Sequence, residues 1–450
     1  MSNRKQAQPR PSVLAFGGAL VTLLAAEGAG AQAVPNIGNY TSLTDNFRIG
    51  IQATSLTGVT TARSFQQSAI EDVTTYLDPS EIAATVGTQT ANFGAINSVF
   101  DLRGATALAS YAQGSPTLVI RFVNPDGNTV SLRNGTACNF SYTGQTRQGA
   151  FNTFDDLTDD EENPAIRDLF RCISRGFARN SPVDPLAGNP GSLQASMVRS
   201  ALDLTNGDSL VEGGANTSGD PWIVGAAYTT GSAGRFSVGR TDGRIMRGFR
   251  LFEGNRALLK FDLPFSYAHA NKITSYTAQV GLGLETALIE QRWSVEPRIA
   301  YGAVFSRQAG SAGTILQGSV TSRYLIQGIG RGRLVIGNMV GYGATLAPPA
   351  TNANFNPDLR NWSFRNGLAY ELPLKMRMSG RLTSLRASYG YTAFAGDKLR
   401  NNHFHEATLS FGLRGREESV RASRDLVRLN FNTTQARGYH SYTAGLGFRF

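Results

Sequence analysis

Hydrophobic and polar positions alternate along the second half of the chain, from about residue 222 onward. In the last segment Tyr442, Ala444, Leu446, Phe448 and Phe450 occupy one face, and small or polar residues occupy the other. A period of two is typical of a β-strand whose two faces meet different surroundings. The pattern predicts about twelve strands, at 222–229, 233–241, 257–268, 273–288, 292–306, 313–327, 331–346, 361–377, 381–396, 402–415, 425–436 and 440–450. Residues 244–252 remain open as a further strand or a loop.

The length and side-chain chemistry of these segments favour a membrane barrel. The segments run for ten residues or more, whereas strands of soluble proteins average about five or six. Their apolar faces carry aromatic residues near the ends, as an aromatic girdle would. Their polar faces carry charges, which the dry core of a soluble β-sandwich could not hold. We therefore predict a mainly β protein with an antiparallel transmembrane β-barrel over residues 221–450.

The charged residues on the polar faces are predicted to line the lumen of this barrel. An open lumen with many arginines would favour anions. A filled lumen would instead let the arginines bond a plug or neighbouring glutamates, and the sequence leaves this choice open. The candidates are Arg298, Arg365, Arg386, Arg414, Arg428, Arg449, Glu285, Glu296, Glu371 and Glu406.

The N-terminus has the pattern of a secretory signal peptide. Arg4, Lys5 and Arg10 precede an apolar stretch at 13–26 and small residues suited to cleavage. The stretch is shorter than the roughly 20 residues that a spanning helix needs. We expect residues 1–33 to be removed on export.

Residues 34–189 are irregular and predict a small α+β domain without a fixed-period repeat. A strand is predicted at Thr117–Val123, and helices are predicted at 60–76 and 164–178. In an exported protein Cys138 and Cys172 are expected to pair as a disulfide, although two free thiols remain the alternative. No metal site and no cofactor are expected.

Residues 190–220 combine a helix with a polar linker. Ser192 is a suitable N-cap for a helix through Leu202, and a run rich in Gly, Asn and Ser follows. A helix, a polar linker and about twelve strands resemble the translocator unit of autotransporters, the type V secretion family. The resemblance covers about residues 190–450 and is architectural, without a diagnostic motif.

The resemblance implies that the helix lies in the barrel lumen and joins the barrel to a surface-exposed passenger. The alternative is a helix packed in the N-terminal domain. The final segment, from Tyr442 to Phe450, resembles the terminal strand signature that the barrel-assembly machinery reads.

Charge and candidate chemistry narrow the function. The net charge of +10 comes from isolated arginines spaced along strands, so a nucleic-acid site is not expected. Gly207-Asp208-Ser209-Leu210 matches the nucleophile motif of GDSL esterases, but no base follows in an Asp-x-x-His block, and a serine without a base is inactive. His403 and His405 share a strand face and are read as polar strand-end side chains.

The first interpretation is a monomeric, non-catalytic barrel of autotransporter type in the bacterial outer membrane. It would contact lipid and lipopolysaccharide, and it would anchor or export its N-terminal domain, whose surface ligand is unknown. That domain would lie at the cell surface or in the periplasm. One alternative is a channel for small anionic solutes with the N-terminal region as a plug or periplasmic domain. The other is a barrel-borne hydrolase using His403 or His405.

Overall fold

The computed structural model describes residues 47–87, 93–158, 163–207, 209–213, 221–251, 257–290, 292–309, 311–347, 356–414 and 425–449. The expected signal peptide, at 1–33, and Phe450 lie outside these residues. The chain forms a small sheet-and-helix domain followed by a closed barrel.

The N-terminal domain is built on one antiparallel sheet in the order β2-β1-β3-β4-β5-β6. Its strands are β1 (Phe47–Ser55), β2 (Thr60–Gln67), β3 (Phe93–Leu102), β4 (Ala105–Tyr111), β5 (Thr117–Val123) and β6 (Asn139–Thr143). The strand predicted at Thr117–Val123 is confirmed. The helix predicted at 60–76 is wrong for its first half, because Thr60–Gln67 pairs with β1 along its whole length.

Helices cover one side of this sheet. They are α1 (Glu71–Thr74), a 3-10 turn (Thr75–Leu77), α2 (Pro79–Val86), α3 (Arg147–Thr158) and α4 (Pro164–Asn180). The helix predicted at 164–178 is confirmed as α4, whose N-cap Asn163 accepts a hydrogen bond from the Ala165 amide at 3.0 Å. A disulfide joins Cys138 to Cys172 of α4. The core therefore combines the apolar face of the sheet with the inner face of α4.

Twelve antiparallel strands form the barrel, which confirms the predicted number. They are β7 (Trp222–Ala233), β8 (Phe236–Arg250), β9 (Ala257–Ala270), β10 (Ile273–Ile289), β11 (Trp293–Ser306), β12 (Ser311–Ile329), β13 (Gly332–Leu346), β14 (Arg360–Met378), β15 (Arg381–Gly396), β16 (His403–Arg414), β17 (Asp425–Ala436) and β18 (Tyr439–Arg449). The undecided stretch at 244–252 belongs largely to β8. Pairing of β18 with β7 closes the barrel.

Apolar side chains cover the outside of the barrel, with aromatic residues towards both ends. Ile299, in the middle of β11, is 53% exposed, and Trp293 and Phe305 lie towards the ends of the same face. These two rings are twelve positions apart, which is about 40 Å along a strand and about 30 Å after a tilt of about 40°. The outer surface therefore matches the thickness of a bilayer core.

In the described part of the chain, no helix combines the length and the apolar character needed to cross a membrane.

The two ends of the barrel differ. We call the end where β7 begins and β18 ends the terminal rim, and the opposite end the domain rim. The N-terminal domain sits on the domain rim, where Ile273 and Ala309 of two hairpins join its core. Backbone bonds from Arg400 N to Ala178 O (3.1 Å) and from Asn401 N to Gly188 O (3.0 Å) reinforce this junction.

Candidate functional site in the barrel lumen

The chain passes through the barrel before it builds the barrel wall. We call residues 182–213 the plug; Asp208 lies outside the described residues. The plug leaves α4 at the domain rim, continues as α5 (Leu193–Ala201), and ends in α6 (Leu210–Gly213) among side chains of the terminal rim. The predicted N-cap is confirmed, because the Ser192 hydroxyl accepts a bond from the Ala195 amide at 3.4 Å. The structure thus places the helix inside the lumen.

One side of the plug packs on an apolar wall. Leu193 and Met197 lie against β11 and β12, and Leu202 and Leu204 lie against β13 and β14. Glycines make this approach possible: a Cβ atom at Gly302 would lie 2.8 Å from Cδ1 of Leu193. This contact replaces water with a hydrocarbon surface and stabilises the plugged state.

Arginines of the wall donate hydrogen bonds to the plug backbone. The carbonyls at a helix C-terminus and in an extended segment have no backbone partner within their own segment, and an unpaired buried carbonyl costs free energy. Cations also suit the negative end of the α5 dipole. The bonds join Arg323 to Ala201 (3.5 Å), Arg365 to Leu202 (3.1 Å), Arg386 to Leu204 (2.7 Å), Arg428 to Thr205 (2.5 Å), Arg449 to Gly207 (2.9 Å) and Arg333 to Glu212 (2.8 Å).

Carboxylates balance these arginines from the same inner face. Glu371 lies 3.2 Å from nitrogens of Arg333 and Arg386 and 3.1 Å from Arg428. Arg386 also reaches Glu212 of the plug at 2.6 Å. Buried charges are tolerated only when they are paired and hydrogen-bonded, so the wall and the plug depend on each other.

A second ionic group lies on the opposite strands. Lys260 is 2.8 Å from both Glu285 and Glu296, and Arg323 is 2.9 Å from Glu296. Glu406 receives Arg199 of the plug at 2.7 Å and also pairs with Arg365. Ion pairs therefore join wall strands to one another and the plug to the wall.

All ten residues proposed from the sequence as lumen-lining lie on inward faces. Nine of them are buried, and Arg449 is half-buried while contacting the plug. The sequence analysis missed several charged residues that pair with these ten. Those on the wall also alternate with outward-facing residues, so the same period of two could have identified them. They are Lys260, Asp262, Arg323, Arg333 and Asp425 of the wall. Asp203 and Glu212 of the plug had no such signal.

The esterase-like tetrapeptide lies in the plug, beside a glutamate. The Ser209 hydroxyl donates to Glu285 and lies 3.3 Å from the Ser294 hydroxyl, and the Leu210 amide donates to Glu285 at 3.0 Å. His403 and His405 are exposed on the outside of the barrel, so the structure does not bring them to Ser209. Within the described residues, no three His, Cys, Asp or Glu side chains form a metal-binding group.

The other side of the plug leaves space. A cavity of about 280 Å³ lies between the plug and β7, β8, β16, β17 and β18. Its wall carries amides and hydroxyls, including Asn430, Asn432 and Thr434, together with charged groups of both signs. The lining follows β18 from Tyr439 to Gly447, which is nearly its whole length. The plug therefore fills the lumen unevenly.

The proposed assembly signal lies in β18. Tyr442, Ala444, Leu446 and Phe448 are exposed on the outer face, while Phe450 lies outside the described residues. The predicted alternation is therefore present over the described part of the signal.

No protein-family model matches this sequence, and no curated protein matches it either. Solved structures with a similar fold include the β-domain of the Bordetella autotransporter BrkA, at 11% identity and a TM-score of 0.35. The alignment covers 51% of this chain and 98% of that domain. The translocator domain of the autotransporter NalP from Neisseria meningitidis is 14% identical, with a TM-score of 0.38 and coverage of 57% and 95%.

An outer membrane channel from Pseudomonas putida F1 is similar as well. It is 7% identical, with a TM-score of 0.36, and the alignment covers 55% of this chain and 100% of the channel. A fold does not by itself define a function, so the function of this chain depends on what its lumen holds.

Proposed function

We propose that this protein is an outer-membrane anchor of autotransporter type that displays its N-terminal domain at the cell surface. The observation that carries the proposal is the path of the plug, which connects that domain to β7 through the lumen and is bonded there by arginines of the wall. In this role the barrel is a monomeric scaffold in lipid and lipopolysaccharide. The barrel-assembly machinery would insert it by reading β18.

The orientation of the barrel follows from the same proposal. An even number of strands brings both ends of the barrel to the terminal rim, which we assign to the periplasm. The domain rim, with the N-terminal domain on it, then faces outward.

Protease accessibility on intact cells tests this placement. A protease site inserted at the β1–β2 turn, where Leu56 and Val59 are exposed, should be cut from outside. The matched control is the same insertion at Gly330–Arg331 of the terminal rim, which should be cut only after the outer membrane is opened. Protection of the β1–β2 site in intact cells would contradict surface display.

The cavity beside the plug favours a second candidate function, a narrow passage for small solutes. Its lining includes Arg240 and Arg244 but also Asp203 and Asp242, so its charge is nearly balanced and selectivity for anions should be weak. Conductance of the purified protein in planar bilayers tests the passage. Steady conductance with the plug intact would support it, whereas a silent barrel that conducts only after loss of the plug would support the anchor alone.

We further propose that the barrel works without catalytic groups. The support is that His403 and His405 face outward and that Ser209 is bonded to Glu285 rather than to a histidine. Hydrolytic activity that disappears in His403→Gln or His405→Gln would instead favour the barrel-borne hydrolase.

A further inference from the structure

All four histidines of the chain lie on the outer face of the barrel near the domain rim. His269 is next to the last residue of β9, His403 and His405 begin β16, and His440 is second in β18. They stand among tyrosines: the rings of Tyr391 and His405 are 5.0 Å apart. Rings with polar tips gather where the hydrocarbon region meets the headgroups. This belt therefore marks the headgroup level on the outside of the domain rim.

Two arginines stand immediately above this belt. Arg400 belongs to the connection between β15 and β16, and Arg437 forms the turn between β17 and β18. These connections are neighbours because β16 pairs with β17, with His405 opposite Gln435. Arg437 is exposed, and Arg400 is half-buried.

The arginine pair is not neutralised by the protein. Burial, together with the positive charge of Arg437, lowers the pKa of Arg400. In the described part of the chain neither arginine forms a salt bridge, and Nε of Arg400 has no hydrogen-bond partner. The adjacent carboxylate, Asp397, is occupied by Arg133 at 3.2 Å and by Arg175. Two adjacent unpaired cations repel each other, and an anion would relieve the repulsion.

We propose that Arg400 and Arg437 bind a phosphate of a phosphorylated glycolipid headgroup in the leaflet that surrounds the domain rim. A guanidinium binds phosphate through two parallel hydrogen bonds, and a lipid whose chains lie along the aromatic belt would bring its phosphate to this height. Only the identity of the leaflet, and hence of the glycolipid, rests on the proposed surface orientation.

Binding of a lipid headgroup at this position would also affect the N-terminal domain and the plug. The backbone amide of Arg400 is bonded to Ala178 at the end of α4, and that of Asn401 is bonded to Gly188 of the plug. A headgroup held by Arg400 would therefore hold the connection that clamps the N-terminal domain to the domain rim. Lipid binding at this site would therefore set the depth of the barrel in the membrane and hold the N-terminal domain in place on the domain rim.

Native mass spectrometry of the full chain in detergent tests the proposal, with bis-phosphorylated lipid A as the probe. The wild type should bind lipid A at least tenfold more tightly than the same lipid after dephosphorylation. Arg400→Ala/Arg437→Ala should lose this preference, and Arg400→Lys/Arg437→Lys should keep part of it. The matched control, Arg331→Ala/Arg377→Ala, removes two exposed arginines of the terminal rim and should bind as the wild type does.

Three results would overturn the proposal. They are equal binding of the two lipids by the wild type, unchanged binding by the alanine pair, and full displacement of lipid A by millimolar inorganic phosphate, which would make free phosphate the ligand. Unchanged electrophoretic mobility of the folded barrel shows that a variant is folded. The assay uses purified protein, so it is independent of which side of the membrane the domain occupies, and its failure is distinguishable from failure of surface display.

Discussion

Strand β1 of the N-terminal domain and strand β11 of the barrel show the same alternation of apolar and polar residues. In β1 the apolar residues face the interior, whereas in β11 the polar residues do. In β1 the apolar residues Phe47, Ile49 and Ile51 are fully buried. In β11 the apolar residue Ile299 is half exposed, while Glu296 and Arg298 are buried. The same period of two therefore serves two different surroundings, water around the domain and lipid around the barrel.

This inversion changes what holds each region together. The domain core is closed by contact among apolar side chains and by one disulfide. The barrel interior is closed by hydrogen bonds and ion pairs, and it needs the plug because the wall alone does not satisfy its arginines. Replacing an inward-facing charged residue should therefore destabilise the barrel, whereas replacing an inward-facing apolar residue should destabilise the domain.

The largest effect is expected for Arg386→Ala. The change removes bonds to Leu204 of the plug, to Glu212 and to Glu371, and leaves buried carboxylates short of a partner. Loss of one member of a buried ionic group costs about 3–5 kcal/mol. We expect a lower unfolding temperature of the barrel and an increase in bilayer conductance as the plug loosens. The control Arg331→Ala, in an exposed turn, should change neither.

A smaller loss is expected for Ile299→Arg on the outer face. An arginine at the middle of the bilayer costs about 2–4 kcal/mol, and the cost falls to about 0–1 kcal/mol near the interface. The comparison variant Thr230→Arg, on an exposed position towards the domain rim, should therefore be tolerated. Reversible urea unfolding in lipid vesicles measures both. Equal losses would mean that the outer face does not meet hydrocarbon.

Removal of the disulfide should act on the domain alone. Cys138 and Cys172 are separated by 34 residues, and a cross-link of this kind stabilises by about 2–4 kcal/mol, chiefly by restricting the unfolded chain. Cys138→Ser/Cys172→Ser should make the domain sensitive to limited proteolysis while the barrel keeps its unfolding temperature. A parallel loss in the barrel would show that the two regions unfold as one unit.

The most local effect concerns the junction of the two regions. Burial raises the pKa of Asp184 from 3.8 to about 7. Because the folded state holds the proton more tightly, its contribution to stability is complete below about pH 4 and is lost as the pH rises through 7. Hydrogen exchange of residues 182–192, corrected for intrinsic rates, should show protection falling over this range. Asp184→Asn should remove the slope, and an unchanged slope would assign it to another group.

The alternation of side chains, by itself, determined the twelve strands and the inward position of the charged residues. This was possible because strand periodicity is local: the face of Glu371 or Arg386 follows from its immediate neighbours. The N-cap at Ser192 and the helix that follows it could also be predicted, because both depend on residues close together in the sequence. The helix expected at 60–76 was wrong over Thr60–Gln67, because this segment pairs with β1 and edge pairing overrides a weak local preference.

Only the tertiary structure decided that the lumen is filled. The arginines Arg365, Arg386 and Arg428 suit an open anion path as well as a plug, and their sequence positions are the same in both. Their bonding partners are backbone carbonyls at 202–205, which every residue possesses and which leave no trace in the sequence. The choice depends on which backbone passes through the lumen, and that depends on contacts between residues more than 150 positions apart.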